Sequence, residues 1–389
     1  TSIPIATSLG ATLSNDPALR RRQAIDRRVV RIAAFSVALG VVAACIASVL
    51  VALIAFATNL AFYGRLSLAN ADPAQHHLGA WVIVLPVVGG LIVGAMARWG
   101  SKAIRGHGIP EAMEQVLLNE SRIPSRMAWL KPLSSAVAIG TGGPFGAEGP
   151  IIATGGAVGS LLGQALHVTA DERKTLLAAG AAAGMAAIFS APISAVLLAI
   201  ELLLFERRAR SMVPVALAAA TATGVRYLLL GTGATFPMAA IAPAALQALA
   251  VYAALGAIVG VLSVGVTRMT YAIEDAFERL PIHWMWWPAI GGLAVGVIGY
   301  CMPATLGVGY GNIAAILAGS TTLGFLAMLC VLKLASWSLA LGSGTSGGTL
   351  APLFTIGGAF GGIAGIALSA VPGLHVDPRV AALVGMAAM

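Results

Sequence analysis

One acidic side chain stands in an apolar, glycine-rich part of the chain, within the sequence GAEGP at residues 146–150. Pro150 suits the first turn of a helix, where its missing N–H costs nothing, and the glycines let the backbone turn and approach a ligand. A helix is therefore predicted to begin here, with unpaired N–H groups at its start. Such a helix end carries partial positive charge and binds anions, so Glu148 is a negative group placed at a potential anion site.

The chemistry of Glu148 depends on its protonation. An ionised carboxylate would compete with an anion for the backbone amides, and a protonated carboxyl would leave them free. Because an ionisable group in an apolar segment is costly and usually functional, we interpret Glu148 as a gate, meaning a side chain that occupies the site and can vacate it. The alternative is a loop carboxylate that faces water.

Two other segments have the same pattern of glycine followed by proline. Residues 348–352 read GTLAP, and residues 106–110 read GHGIP, followed directly by Glu111. Three helix starts that converge inside a membrane would hold a dehydrated anion without a full positive charge. A site of that strength can also release the ion, which rapid flux requires.

The amino-acid composition indicates that these segments lie in a membrane protein. Hydrophobic residues make up 58% of the chain, charged residues make up 10%, and 47 residues are glycine. Several apolar runs, beginning with residues 32–62, are long enough to cross a bilayer, and many are interrupted by Gly or Pro. We expect an all-α integral membrane protein with broken, re-entrant helices.

The charges argue against nucleic acid as a partner, although the net charge is +8. Basic residues cluster beside apolar runs, as cytoplasmic loops do; examples are Arg98, Lys102 and Arg105. The three cysteines stand singly in apolar runs and are interpreted as core residues. No spacing typical of a metal site or a catalytic cluster occurs in the apolar core, so neither an enzyme nor a cofactor is predicted.

The chain also contains an internal repeat. The sequence PVVGGLIVG at 86–94 returns as PAIGGLAVG at 288–296, an offset of 202 residues, and the segment from Gly140 resembles the segment from Gly342 at the same offset. A third match, GMAA at 184–187 and 385–388, lies one residue closer. Repeats of this kind are typical of transport folds, in which the substrate site lies where the copies meet.

The loop charges suggest how the copies are oriented. The positions one repeat after Arg98, Lys102 and Arg105 are uncharged, so the two loops are expected on opposite sides of the membrane and the repeats are expected to be inverted. The predicted organisation is a cytoplasmic segment at 1–28, a first repeat at 29–230 and a second repeat at 231–389. The second copy stops early, so roughly 40 residues of C-terminal helix are expected to be missing from it.

The order GHGIP, GAEGP, GTLAP resembles the chloride channel (CLC) family of anion channels and proton/chloride exchangers, over nearly all of the chain after about residue 30. The resemblance implies chloride as the substrate, one pore per subunit, homodimers in a cell membrane, most simply a bacterial inner membrane, and Glu148 as the gate. It also implies a set of anion-binding residues. These are His107, Gly108, Ala147, Gly149, Thr349, Leu350 and Ala351, together with the amide of Glu148.

Two of these positions depart from the family pattern. His107 replaces a hydroxyl residue that touches the anion in the family; a neutral imidazole can donate one hydrogen bond, and a protonated one would make anion binding depend on pH. Alternatively, the His107 backbone alone lines the site. Leu350 replaces an aromatic residue, but the backbone amide is the expected ligand.

Two charged residues are candidates for an electrostatic role or a proton path. Lys131 lies in an apolar stretch before Glu148, where the family often has a basic residue; the alternative is that it snorkels to the membrane interface. Glu201 lies one position before the inner proton-accepting glutamate of the family's exchangers, and Leu202 occupies that position. Glu201 is alternatively a structural partner of Arg207 or Arg208.

The missing inner glutamate favours a channel-like or weakly proton-coupled chloride pathway. The alternative is a proton/chloride antiporter with an atypical internal proton path, in which protons are a second substrate. A membrane-embedded enzyme or an organic-substrate transporter is disfavoured, because no catalytic cluster occurs in the core and a broken-helix repeat suits a small anion.

Overall fold

The computed structural model describes residues 27–166, 168–241 and 243–389. Most of the predicted cytoplasmic segment 1–28 lies outside the described residues. In the described residues the α-helices are α1 (Arg27–Tyr63), α2 (Val84–Trp99), α3 (Ile109–Leu118), α4 (Met127–Gly140), α5 (Glu148–Ala165), α6 (Ala170–Phe189), α7 (Pro192–Ala199), α8 (Ala209–Leu230), α9 (Leu246–Glu278), α10 (Trp287–Cys301), α11 (Tyr310–Ala318), α12 (Leu323–Gly342), α13 (Leu350–Ser369) and α14 (Pro378–Ala388).

Helix lengths match the predicted mixture of complete and broken spans. Within the part of the chain that is described, seven helical stretches are long and apolar enough to cross a membrane. Other helices are too short to do so; α3 has 10 residues, α7 has 8 and α11 has 9. A membrane helix needs about 20 apolar residues, so the short helices cannot span a bilayer alone. The prediction of an all-α membrane protein with broken helices is confirmed.

The first of two compact units comprises the described residues up to Ala44, Met113–Ile123 and Gly155–Leu229. Its centre is α6, whose middle is almost completely buried. Glycines let the helices pack closely, since a Cβ on Gly155 would collide with the carbonyl oxygen of Gly180, and a Cβ on Gly180 would collide with that of Gly155. A capping box formed by Thr169 and Glu172 satisfies the first N–H groups of α6.

The second unit comprises Cys45–Ala112, Pro124–Thr154 and Leu230–Met389. At its centre α2 packs against α10, the copy of α2 one repeat later. The contacts are reciprocal: a Cβ on Gly90 would collide with the Pro288 carbonyl oxygen, and a Cβ on Gly292 would collide with that of Pro86. Gly90 and Pro86 lie one repeat before Gly292 and Pro288, so the two helices are antiparallel and related by an internal two-fold axis. The prediction of inverted repeats is confirmed.

The structure corrects the third match of the sequence repeat, which aligned residues 184–187 with residues 385–388. In the first unit Gly155 packs on Gly180, and in the second unit Gly357 packs on Gly385. Gly155 and Gly357 are repeat partners, so the packing pairs Gly385 with Gly180, whereas the sequence comparison pairs it with Gly184. Two sequences rich in Gly and Ala match in several registers, and the helix contacts select a register one turn away.

The start of α14 is capped differently from that of α6, its counterpart. The Asp377 carboxylate accepts a hydrogen bond from the Arg379 N–H at 2.8 Å and pairs with the Arg379 guanidinium at 2.7 Å. This contact lowers the pKa of Asp377 below its ordinary value, mainly through the hydrogen bond from Arg379. The cap therefore carries a charge pair where α6 has a threonine and a glutamate.

Candidate anion site

The starts of α5 and α13 are joined by their backbones. The Gly146 N–H donates to the Gly348 carbonyl oxygen at 2.9 Å, and the Gly348 N–H donates to the Gly146 carbonyl oxygen at 2.9 Å. These glycines lie one repeat apart, so the two hydrogen bonds exchange places under the internal two-fold axis. The helices begin two residues later, at Glu148 and Leu350. Their first N–H groups have no partner within their own helix, so two sets of unpaired amides begin side by side.

The segment before α3 lies against the same place. Gly106 pairs with Ser346 in a backbone bridge, and the Gly347 N–H donates to the Gly106 carbonyl oxygen at 3.4 Å. A Cβ on Gly149 would collide with the His107 carbonyl oxygen and would lie 3.0 Å from the Gly348 Cα. All three glycine-containing segments picked out in the sequence therefore meet within the second unit.

The Glu148 side chain lies over this junction. It is 1% exposed, which excludes a loop carboxylate that faces water. Its Oε1 accepts a hydrogen bond from the Tyr310 hydroxyl at 2.6 Å, and its Oε2 is buried without a hydrogen-bond partner. The backbone N–H groups of Glu148 and Ala351 lie near the carboxyl, and a Cβ on Gly146 would collide with Oε2. The carboxyl thus occupies space beside the amides of both helix starts.

The predicted anion-binding residues divide into two groups. Ala147, Gly149 and Ala351 are buried at the junction, and Thr349 and Leu350 are partly buried beside them. The Gly108 N–H is instead occupied, because it donates to the Glu111 carboxylate at 2.7 Å. This amide is therefore paired in this arrangement, because a glutamate three residues into a helix caps its own start. That Gly108 belongs to the anion site stays a prediction.

His107 is half-buried and touches the junction through its backbone. Nearby, the Lys131 ammonium donates to the carbonyl oxygens of Ile104 and Gly106 at 2.8 and 2.9 Å. Lys131 is 1% exposed, so the alternative that it snorkels to the interface is wrong. Its contacts hold the turn that leads into His107 and α3.

Two residues near the site were missed by sequence reasoning. Lys333 lies one repeat after Lys131 and is fully buried, and its ammonium donates to the carbonyl oxygens of Thr305 and Gly307, at 2.9 Å each. The repeat offset alone would have found it. Tyr310, which donates to Glu148, begins α11, and no motif in the sequence points to its hydroxyl.

Glu201 belongs to the first unit. It is exposed and lies in a single π-helical turn, Ile200–Leu204. Arg208 pairs with Glu206 at 3.5 Å, and neither Arg207 nor Arg208 forms an ion pair with Glu201 within the described part of the chain. The alternative of a structural pair at Glu201 is therefore wrong. Across the described residues, no group of three or more His, Cys, Asp or Glu side chains is placed to hold a metal ion.

The chain resembles known proteins along most of its length. A family model described as "Voltage gated chloride channel" matches residues 89–389. The chloride channel protein CLC-f of Arabidopsis thaliana is 31% identical over 335 residues, covering 79% of this chain and 42% of the relative. The H(+)/Cl(-) exchange transporter ClcA of Vibrio campbellii is 31% identical over 315 residues, covering 77% of this chain and 67% of the relative.

A solved structure shares the fold. It is that of a slow cyanobacterial Cl−/H+ antiporter, which superimposes with a TM-score of 0.80 at 21% identity, covering 93% of this chain and 85% of that one. At this identity the likeness concerns the fold. The chain spans about two fifths of the Arabidopsis relative and two thirds of the Vibrio relative.

Proposed function

Because the chain belongs to the voltage-gated chloride channel family, we propose that it carries chloride across a membrane through the junction of α5 and α13, with the Glu148 carboxyl as the gate. The observation that carries this proposal is the buried carboxylate beside two helix starts that are joined by reciprocal hydrogen bonds between Gly146 and Gly348. Unpaired amides at helix starts favour an anion. A tethered carboxylate satisfies the same preference and competes with a free ion.

The amides that would receive chloride are those of the first turns of both helices. They belong to Ala147, Glu148 and Gly149 on one side and to Thr349, Leu350 and Ala351 on the other. His107 would line the inner end through its backbone, or through its imidazole if the ring turns toward the ion. Chloride is the substrate, and no cofactor is part of the proposal.

The pathway is proposed to be channel-like or weakly coupled to protons. Leu202 cannot accept a proton at the position where the family's exchangers have a glutamate, and the neighbouring Glu201 is exposed. A proton that reaches Glu148 from the outside can release the gate without crossing the protein. Conduction then depends on external pH with little proton flux.

A proton/chloride antiporter is the second candidate, favoured by the names of the Vibrio relative and of the cyanobacterial structure. In that case protons must cross from the inner side to Glu148 by a path that does not use residue 202. Glu201, Glu206 or His107 would then have to relay them. The proposed setting of either transporter is a bacterial inner membrane, with two copies of the chain forming a homodimer.

The test is transport by the purified protein in liposomes with a chloride gradient, with the voltage clamped by potassium and valinomycin while chloride and proton movement are recorded together. We expect chloride flux that rises as external pH falls, with little uphill proton movement. Proton uptake driven by the chloride gradient in a fixed ratio would establish the antiporter instead.

The gate is tested with Glu148→Gln, which keeps the shape of the side chain and removes its charge. Chloride flux should persist and lose its dependence on pH. Glu114→Gln is the matched control, because Glu114 is exposed on α3, and this variant should keep the wild-type pH profile. A folded Glu148→Gln protein with the wild-type profile would contradict the gate.

A further inference from the structure

The Tyr310 hydroxyl is the remaining polar group at the gate that the proposed function does not use. We propose that Tyr310 is a latch, a positioning residue whose hydroxyl holds the ionised Glu148 carboxyl in the closed position. The inference rests on the proposed role of Glu148 and adds a residue that sets how readily the gate opens.

The hydrogen bond is suited to this role by its geometry. The hydroxyl oxygen of Tyr310 and Oε1 of Glu148 are 2.6 Å apart, in the range of strong O–H···O⁻ hydrogen bonds. The other carboxyl oxygen has no hydrogen-bond partner. Tyr310 is therefore the side chain, among the described residues, that donates a hydrogen bond to this carboxyl, and its loss would leave the carboxyl without a side-chain donor.

The hydroxyl is held in place by the chain around it. Tyr310 is the first residue of α11, and its ring packs edge-on against Phe236, with 5.7 Å between the ring centroids. Just before it, the Lys333 ammonium binds the carbonyl oxygens of Thr305 and Gly307. Just after it, the Asn312 amide donates to the Ala304 carbonyl oxygen at 2.7 Å. A hydroxyl fixed in this way favours one position of the carboxyl over all others.

The latch acts on one state of the gate. The tyrosine donates a hydrogen bond to the ionised carboxylate in the closed position, and a protonated side chain that has left the site no longer accepts it. The groups that face the Glu148 carboxyl are Tyr310 on α11, the Ala351 N–H on α13 and its own N–H on α5. Removing the hydroxyl therefore weakens the closed, ionised state and makes protonation and opening easier.

The test is Tyr310→Phe, which removes the hydroxyl and keeps the ring against Phe236. A hydrogen bond to a charged group changes an equilibrium by about tenfold to a hundredfold. Chloride flux at neutral pH should rise, by up to about tenfold, because a larger share of the protein is then open. The pH of half-maximal flux should move up by about one unit or more.

The specificity of the effect is tested in the Glu148→Ala background, because a glutamine oxygen could still accept the hydrogen bond from Tyr310. With no carboxylate to hold, adding Tyr310→Phe should leave flux unchanged. Tyr300→Phe is the matched control, because Tyr300 is 53% exposed on α10, and it should behave as wild type. A Tyr310→Phe protein with wild-type flux and pH profile, or the same change in both backgrounds, would overturn the latch.

Chloride binding provides a second measurement for a variant that transports poorly. A looser carboxylate competes less, so Tyr310→Phe should bind chloride more tightly by calorimetry at pH 7.5, and unchanged affinity would overturn the latch. The two proposals fail differently. Wild-type pH dependence in Glu148→Gln removes the gate, whereas a pH-insensitive Glu148→Gln beside an unaltered Tyr310→Phe removes only the latch.

Discussion

Lys131 in the first copy of the repeat and Lys333 in the second are both buried, and each ammonium binds two carbonyl oxygens in the turn before a short helix. Glu148 and Leu350 are also one repeat apart, yet one is an acid and the other is apolar. The comparison separates two kinds of residue. Contacts that build the junction occur in both copies, whereas the carboxyl that we propose as the gate occurs once.

The largest expected effect is on the duplicated lysines. Lys131→Met and Lys333→Met should each lower the free energy of unfolding by about 2–5 kcal/mol, because each removes the ammonium donor from two carbonyl oxygens. The Gly106 oxygen would keep only its 3.4 Å hydrogen bond from Gly347. Thermal unfolding in detergent measures the loss, with Lys174→Met, near the start of α6, as the control. If one lysine proved indispensable and the other neutral, the two contacts would not be equivalent.

A smaller loss of stability should distinguish alanine substitutions at Gly146 and Gly348. The two glycines make equivalent backbone hydrogen bonds, but different atoms surround them. A Cβ on Gly348 would meet backbone atoms, 2.6 Å from the Gly146 carbonyl oxygen and 2.8 Å from the Gly149 nitrogen. Gly348→Ala should therefore cost about 1–3 kcal/mol of stability. A Cβ on Gly146 meets the end of the Glu148 side chain instead.

Gly146→Ala should then cost less than Gly348→Ala and should push the carboxyl out of its closed position. Its signature is chloride flux at neutral pH that exceeds that of wild type, measured in liposomes beside the unfolding experiment. Equal destabilisation by the two variants, with no gain of flux, would show that the carboxyl does not lie over Gly146 in the membrane.

The smallest effect concerns the helix caps, which differ between the copies. Asp377→Ala should cost about 1 kcal/mol, the usual value of an N-cap. Because the pKa of Asp377 is lowered in the folded state by Arg379, its contribution is present above about pH 4 and is lost as pH falls further. Unfolding of wild type and Asp377→Ala at pH 7 and at pH 3 measures this contribution. The loss of stability should be visible at pH 7 and smaller at pH 3. A loss that does not depend on pH would contradict a charged cap.

The position of the junction could be predicted from sequence, because Gly and Pro beside Glu148 mark a helix start by local rules and the repeat brings residues 348–352 to the same place. Lys333 followed from the same offset but was overlooked, since an isolated lysine in an apolar run attracts no motif. The hydrogen bond that caps the Gly108 amide could also be predicted, because Glu111 stands at the capping position three residues later.

Other features depend on contacts that no local pattern contains. Tyr310 and Glu148 are far apart in sequence, and the hydroxyl reaches the carboxyl because Gly307, Gly309 and Lys333 set the turn before α11. The register of α14 against α13 depends on which glycine meets which carbonyl, and a sequence of Gly and Ala offers several choices of similar quality. Packing in three dimensions selects one of them.

The reciprocal hydrogen bonds between Gly146 and Gly348 also bear on how the protein is made. Their two residues are synthesised 202 positions apart, which at ordinary elongation rates is a delay of about 10–40 s. During that time the first copy cannot complete its half of the junction, and unpaired backbone groups are not tolerated in lipid. The segment before α5 must therefore stay in contact with water, the translocon or other protein until the second copy arrives to close it.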